Sequence, residues 1–166
     1  MIEEQGGWFV KNVRDARWHA NAVFGRACTF EEEGERFPET GLHLFVLQPD
    51  RPACYYHREN AQEDFVVLEG RVRAIVNDEE RMLEPWDLLH CPAGVTHVLI
   101  GAGEGPSAVL AIGHRRPDHT LAYPVNDRAG RYDASTAKAT DDPRVAYADV
   151  PPREIVRDAV WPLERS

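Results

Sequence analysis

Apolar residues recur in short runs through the middle of the chain, separated by glycine, proline or acidic clusters. Several runs alternate apolar and polar positions, which is the period of a strand with one buried face. Turn signals at Glu69-Gly70 and Asn77-Asp78 lie where hairpins would reverse. The pattern predicts an all-β barrel or sandwich, with strands at 8–13, 23–29, 42–48, 53–59, 64–69, 72–76, 81–83, 87–91, 97–100 and 107–113.

The character of the chain changes after about residue 117. Segments 141–148 and 152–157 are typical of short helices or of an irregular tail, and Asp142 before Pro143 predicts a helix start. We therefore expect an N-terminal strand or arm over 1–20 and a barrel over 21–116. A C-terminal tail with short helices over 117–166 would pack on the barrel or on a partner subunit.

Composition narrows the range of partners and compartments. A chain of 166 residues is long enough for one domain with a good core. The net charge of -9 argues against nucleic acid, whose phosphates need a cationic face, although local arginines could still bind a small anion. We expect no membrane partner and no secretory signal. Three cysteines without a CxxC pair favour a reducing, cytoplasmic location.

Histidines and carboxylates form the most informative pattern in the sequence. His57, Glu59 and Glu63 are separated by even numbers of residues, so on one regular strand they would share a face. His97 follows the Pro92-Ala93-Gly94 turn on a later strand. Together the four side chains are a mixed nitrogen and oxygen ligand set for a metal ion.

The same two segments resemble the paired motifs of the cupin superfamily, which are small jelly-roll barrels. The family's first motif reads His-x-His, three or four residues, Glu, six residues, Gly; the chain matches it with His57, Glu59, Glu63 and Gly70. The second reads Gly, five residues, Pro-x-Gly, two residues, His, three residues, Asn; here it is Trp86, Pro92, Gly94, His97 and Gly101. The resemblance implies a cupin-type double-stranded β-helix.

Cupin metal sites usually contain three histidines and one glutamate, whereas this chain offers two of each. Glu59 takes the place of the second histidine. In an alternative register, Tyr55 and His57 occupy the His-x-His positions, a β-bulge precedes Glu63, and Glu59 is a bystander at the rim. The set of His57, Glu59, Glu63 and His97 would suit zinc, iron(II), manganese or nickel and leave positions open for water or substrate.

Other polar residues are candidates for catalysis or for structure. His90 shares a predicted strand face with Leu88, and if that face lines the cavity it is an acid, a base, a substrate contact or an extra ligand; otherwise it is a partly exposed strand histidine. Tyr55 could donate its phenol to a bound oxyanion or pack in the core. His43 is interpreted as a core histidine with a hydrogen-bond partner. Two segments are interpreted as solvated loops: residues 31–35, and the basic stretch 114–119, which could instead bind an anion or a subunit.

Two functions remain open. The chain could be a small-molecule enzyme of isomerase, lyase or dioxygenase type with a divalent metal in the barrel. Alternatively, it could be a non-catalytic barrel that binds a small metabolite or a sugar, with a structural metal or none. We also expect a homodimer, because cupins commonly pair through barrel faces. The candidates for burying that contact are Trp8, Trp18 and Trp161.

Overall fold

The computed structural model describes residues 8–156. Strands make up 42% and helices 7%, so the predicted all-β fold is confirmed. The strands are β1 (Arg17–Ala20), β2 (Arg26–Thr29), β3 (Thr40–Leu47), β4 (Arg58–Glu59), β5 (Glu63–Glu69), β6 (Arg71–Val76), β7 (Glu79–Leu83), β8 (Leu88–Cys91), β9 (His97–Ala102), β10 (Ser107–His114), β11 (Leu121–Ala122) and β12 (Glu154–Val156). The helical elements are a 3₁₀ helix (Val13–Asp15), α1 (Asp127–Gly130) and α2 (Pro143–Ala146).

All strand pairings are antiparallel and form two main sheets that pack face to face. The larger sheet has the order β12-β1-β2-β3-β10-β5-β8, the smaller has β7-β6-β9, and β11 pairs with β4. One buried apolar cluster joins Phe65 and Val109 of the larger sheet to Val72 and Leu99 of the smaller one. This shared core closes the barrel by burying the inner face of each sheet.

Both faces of β9 are covered, which explains its continuous apolar sequence. Leu99 points into the barrel core, whereas Val98 and Ile100 belong to a second cluster with Ala129 and Ala134. The segment around α1 therefore covers the outer face of the smaller sheet. A strand buried on both faces has no need of polar alternation.

The two ends of the described chain differ from the sequence prediction. Residues 8–12 form no strand, although one was predicted over 8–13. The first strand is β1, whose Trp18 is buried in a cluster with Cys28 and Leu44 of the same sheet. The segment predicted as helical or irregular at 152–157 contains β12, which pairs with β1. The helix start is confirmed, since the side chain of Asp142 accepts from the backbone N–H of Arg144. The three-part division of the chain stays a prediction.

Candidate metal centre and cavity

Backbone contacts fix His57 and His97 beside each other. Their main chains exchange two hydrogen bonds of 3.1 and 2.8 Å, and their ring centroids lie 4.9 Å apart. The Nδ1 atom of His57 lies 2.9 Å from the carbonyl oxygen of Tyr55, and that of His97 lies 3.1 Å from the carbonyl of Val95. Because a carbonyl only accepts, each Nδ1 is the donor, and Nε2 is the atom left for a ligand.

Glu63 completes a compact group with the two histidines. Its Oε2 atom lies 3.1 Å from His97 Nε2 and 3.6 Å from His57 Nε2. The three ligand atoms all lie within 4.8 Å of one another. Among residues 8–156, Glu63 Oε2 and His97 Nε2 are buried without a hydrogen-bond partner. Buried polar atoms without a partner are rare, and this donor set fits a divalent transition metal.

The electrostatics of this group favour a cation. Burial raises the pKa of the Glu63 carboxyl, but the imidazoles of His57 and His97 outweigh burial and hold it well below its ordinary value. Burial lowers the pKa of His57, but the neighbouring Cys54, Glu59 and Glu63 have a larger effect in the opposite direction. The pKa of His57 is therefore well above its ordinary value. The centre therefore attracts positive charge, which either a proton on His57 or a metal ion would supply.

Glu59 lies at the edge of the group. Its Oε1 atom is 3.5 Å from His57 Nε2, and its Oε2 atom is 2.8 Å from His119 Nε2. The condition of one regular strand through Glu59 and Glu63 is not met, because β4 pairs with β11 whereas β5 pairs with β10 and β8. The chain is interrupted between them by residues 60–62. Glu59 as a fourth ligand stays a prediction.

The structure does not bring the two predicted catalytic residues to the cavity. Neither His90 nor Tyr55 lines it. His90 is exposed on the outer face of β8, where its Nδ1 lies 2.5 Å from Asp64 Oδ1. The Tyr55 ring packs 5.0 Å from Phe24 and 4.9 Å from Tyr147. Their catalytic roles stay predictions, and the side chain that lies beside His57 Nε2 is that of Glu59, at 3.5 Å.

The candidate metal-binding group of His57, Glu63 and His97 opens into a cavity of about 480 Å³. The inner wall is largely apolar, with Phe45, Phe65 and Leu99, and the mouth is lined by Glu31, Arg36, His114, Arg115, Arg116 and His119. The apolar wall would shield a ligand from water, while the charged mouth would select for its polar groups.

Two cavity residues were misjudged from the sequence. His43 lines the cavity and, within residues 8–156, has no hydrogen-bond partner, so it is not a core histidine with its polar atoms paired. Burial lowers its pKa. Glu31 is not part of a solvated loop, because its buried carboxylate accepts from Arg115 and from the backbone N–H of Phe37. The pairing of β3 with β10 places His43 at the cavity and Arg115 near Glu31. This pairing joins distant parts of the chain, so no local sequence pattern predicts it.

Comparison with known proteins identifies the barrel. The family model described as "Cupin domain" matches residues 43–113, and cupins are among the solved structures that resemble the chain. Residues 43–113 form a cupin domain. The resemblance read from the two sequence motifs is therefore confirmed. A search of curated proteins finds no match to this chain.

Three solved structures illustrate the likeness of this cupin to known folds. A protein assigned as a sugar phosphate isomerase from Acidithiobacillus ferrooxidans has a TM-score of 0.51 at 20% identity, covering 58% of this chain and 64% of that one. The polyketide cyclase RemF from Streptomyces resistomycificus gives 0.55 at 17% identity, covering 67% and 84%. A cupin 2 domain-containing protein from Halorhodospira halophila gives 0.51 at 19%, covering 66% and 75%.

At these identities the similarity shows the fold alone. The first of these matches spans less than two thirds of its relative's length. The chemistry of this cupin must therefore be argued from its own residues, since one fold hosts many activities.

Proposed function

We propose that this cupin is a metal-dependent enzyme that acts on a small polar molecule in the cavity. The observation that carries the proposal is the convergence of His57 Nε2, His97 Nε2 and Glu63 Oε2, two of which are buried without a partner among the described residues. Leaving such atoms unpaired costs free energy. A cation bound between them would remove that cost.

Two nitrogen ligands and one or two carboxylates suit zinc, iron(II), manganese or nickel. Three protein ligands, or four if Glu59 joins them, leave coordination positions open. A metal bound there would polarise a carbonyl or carboxylate oxygen of the substrate. The Phe45 and Phe65 side chains would hold the apolar part of the substrate and keep water away from it.

Glu59 and His119 supply a route for protons at the cavity. Glu59 Oε1 faces His57, its Oε2 meets His119 Nε2 at 2.8 Å, and the His119 side chain reaches solvent. We assign Glu59 as the base that takes a proton from the substrate onto one of its own carboxylate oxygens. His119 would exchange that proton with water. Proton transfer of this kind favours an isomerase or lyase over a dioxygenase.

Metal content tests the proposal. Untagged protein purified without chelator or nickel resin should contain about one equivalent of a transition metal by elemental mass spectrometry. His97→Ala should lose the metal, and His90→Ala, the matched control on the outer face, should retain it. Circular dichroism would verify that His97→Ala is folded. If the wild-type protein takes up no iron, manganese, zinc or nickel even after reconstitution, the alternative of a non-catalytic metabolite-binding cupin replaces the proposal.

We also propose a homodimer in the cytoplasm. The large exposed side chains of Trp8, Trp86 and Leu88 support a contact with a second copy, whereas Trp18 is buried within its own chain and Trp161 lies outside the described residues. Within residues 8–156, no helix combines the length and apolar character that crossing a membrane requires. A monomer mass from light scattering at micromolar concentration would exclude the dimer.

A further inference from the structure

A cross-strand row with two glycines extends from the metal-binding group towards the cavity mouth. Gly41 of β3 pairs with Gly113 of β10, and Gly113 pairs with Glu63 of β5. Residues paired in this way project to the same face of a sheet, and all three line the cavity. Because glycine has no side chain, Gly41 and Gly113 leave open space beside the Glu63 carboxylate that any other residue at these positions would fill.

Arg115 lies at the far end of this open space. Its backbone N–H donates to the carbonyl of Glu39 at 2.8 Å, which continues the pairing of β10 with β3 beyond His114. Two residues of extended chain, about 7 Å, separate Arg115 from Gly113. A Cβ atom added at Gly41 would lie 3.3 Å from Arg115 Nη2 and 3.6 Å from its Nε. The absent side chain of Gly41 therefore leaves that edge of the guanidinium open to the cavity.

The Arg115 guanidinium is held in place but keeps donors free. Its Nη2 donates to Glu31 Oε1 at 2.6 Å, and the same oxygen accepts from the backbone N–H of Phe37 at 2.8 Å. Within the described chain, the remaining side-chain donors of Arg115 have no hydrogen-bond partner. An arginine has five N–H donors, and one that is already positioned loses little entropy when it binds a ligand.

Of the cavity arginines, Arg36 has an unpaired charge and Arg115 keeps free donors. Arg116 is occupied by Asp118 through two contacts of 3.0 Å, whereas Arg36 is exposed and has no partner among residues 8–156. Each cavity carboxylate has a basic side chain beside it, since Glu31 contacts Arg115, Glu59 contacts His119 and Glu63 lies next to His57 and His97. An incoming anion would therefore meet the charge of Arg36 and the free donors of Arg115, although the whole chain carries -9.

We infer that Arg115 binds an oxyanion of the substrate, a carboxylate or a phosphate group, while the other end of the molecule reaches His57, Glu63 and His97. The guanidinium edge matches the spacing of two oxygens of such a group. The substrate class is thus a small organic anion, either a phosphate ester or a carboxylic acid with a second oxygen function. This inference rests on the proposed function, because it assumes that the same cavity holds the substrate.

Calorimetric titration with inorganic phosphate and, separately, with acetate tests the oxyanion site. The full chain is used as purified and after removal of metal, as wild type, Gly41→Ala, Arg115→Gln and the control Arg144→Gln. Arg144 is an exposed arginine that pairs with its neighbour Asp142 and does not line the cavity. The wild-type protein should bind one equivalent of at least one anion. Gly41→Ala and Arg115→Gln should weaken binding about tenfold or more, the loss of one charge-assisted contact, and Arg144→Gln should not.

Gly41→Ala keeps the charge of Arg115, and Gly41 does not have the positive φ that disfavours alanine. Its effect is therefore steric and independent of folding. If Arg115→Gln misfolds because Glu31 loses its partner, the double variant with Glu31→Gln replaces it. A preference for phosphate identifies a phosphate ester, and one for acetate identifies a carboxylic acid.

Absence of binding to the wild type, or equal binding by all the variants, overturns the oxyanion site. The metal content of the same samples separates the two proposals. A protein that binds the anion through Arg115 but takes up no metal retains the oxyanion site and loses the metal-dependent function. A protein that binds metal but neither anion loses the oxyanion site alone.

Discussion

Two adjacent carboxylates of β5, Glu63 and Asp64, each lie beside a histidine but have opposite surroundings. Glu63 pairs with Cys91, and Asp64 pairs with His90. The Glu63 carboxylate faces the cavity and lies 3.1 Å from His97, with its Oε2 atom buried. Asp64 faces outward and contacts His90, whose side chain is 51% exposed. Both carboxylates have a histidine, but only one lies where water is excluded.

The difference shows that contact between a histidine and a carboxylate is not enough to indicate a metal site. The outer pair is close, yet solvent screens it, and such pairs contribute little to stability. The inner group contains buried atoms without hydrogen-bond partners in the described chain, and a second histidine converges on the same carboxylate. A candidate metal ligand is therefore distinguished from a residue of a surface ion pair by burial and by the lack of a hydrogen-bond partner.

The largest predicted difference between the two pairs is in metal affinity. Glu63→Gln should weaken metal binding by more than the roughly 10–100-fold that loss of an outer-shell partner costs, because it removes a ligand. Asp64→Asn removes the same charge one residue away and should leave the affinity within about twofold, since exposed charges are screened. Competition against a chromophoric chelator measures both. Equal weakening in the two variants would mean that net charge, and not ligation, controls binding.

Thiol reactivity should differ next. Burial, together with Glu63 and Asp64, raises the pKa of Cys91 to about 12, and burial raises that of Cys28 to about 11. At pH 8 both should stay protonated and unreactive, whereas half-buried Cys54 lines the cavity. We expect about one thiol per chain to react rapidly with a disulfide reagent in the native protein, and three after denaturation. In Cys54→Ser the rapid phase should be absent; its persistence would contradict the burial of Cys91.

The smallest effect concerns the outer pair itself. His90→Ala should change the free energy of unfolding by less than about 1 kcal/mol in urea titrations, because the pair is exposed.

Burial raises the pKa of Asp64, but hydrogen bonds from Gln62 and His90 outweigh it and lower the pKa below its ordinary 3.8. The contribution of Asp64 is therefore complete above that pH and lost as the pH falls through the folded-state pKa. A change of several kcal/mol in His90→Ala would mean that His90 has a structural role.

Much of the barrel could be predicted because strand periodicity and turn residues are local properties. The runs that became β3, β5, β6 and β10 were predicted to within about two residues at each end. The motif residue Gly70 also has a local cause, since its φ is 75° and an added Cβ would lie 2.5 Å from the Pro106 carbonyl oxygen. Trp86, at the position of the family's motif glycine, also has a positive φ of 75°, a conformation that favours glycine.

The strands at the ends of the chain could not be predicted, because their stability comes from distant partners. β12 forms only against β1, which precedes it by more than a hundred residues. The exposed apolar residues at 8–10 have strand-like sequence but no strand to pair with. Strand propensity is a weak preference that such tertiary contacts override.

The sequence was sufficient for the fold class, the cupin motifs and the residue types of the candidate site. The long-range strand pairing was needed to show that the Glu59 carboxylate lies beside His57 Nε2, that His90 faces outward, and that His43 and Arg115 face the cavity. Strand alternation tells which residues share a face. It cannot tell which face is buried or which strands become neighbours, because long-range pairing sets both.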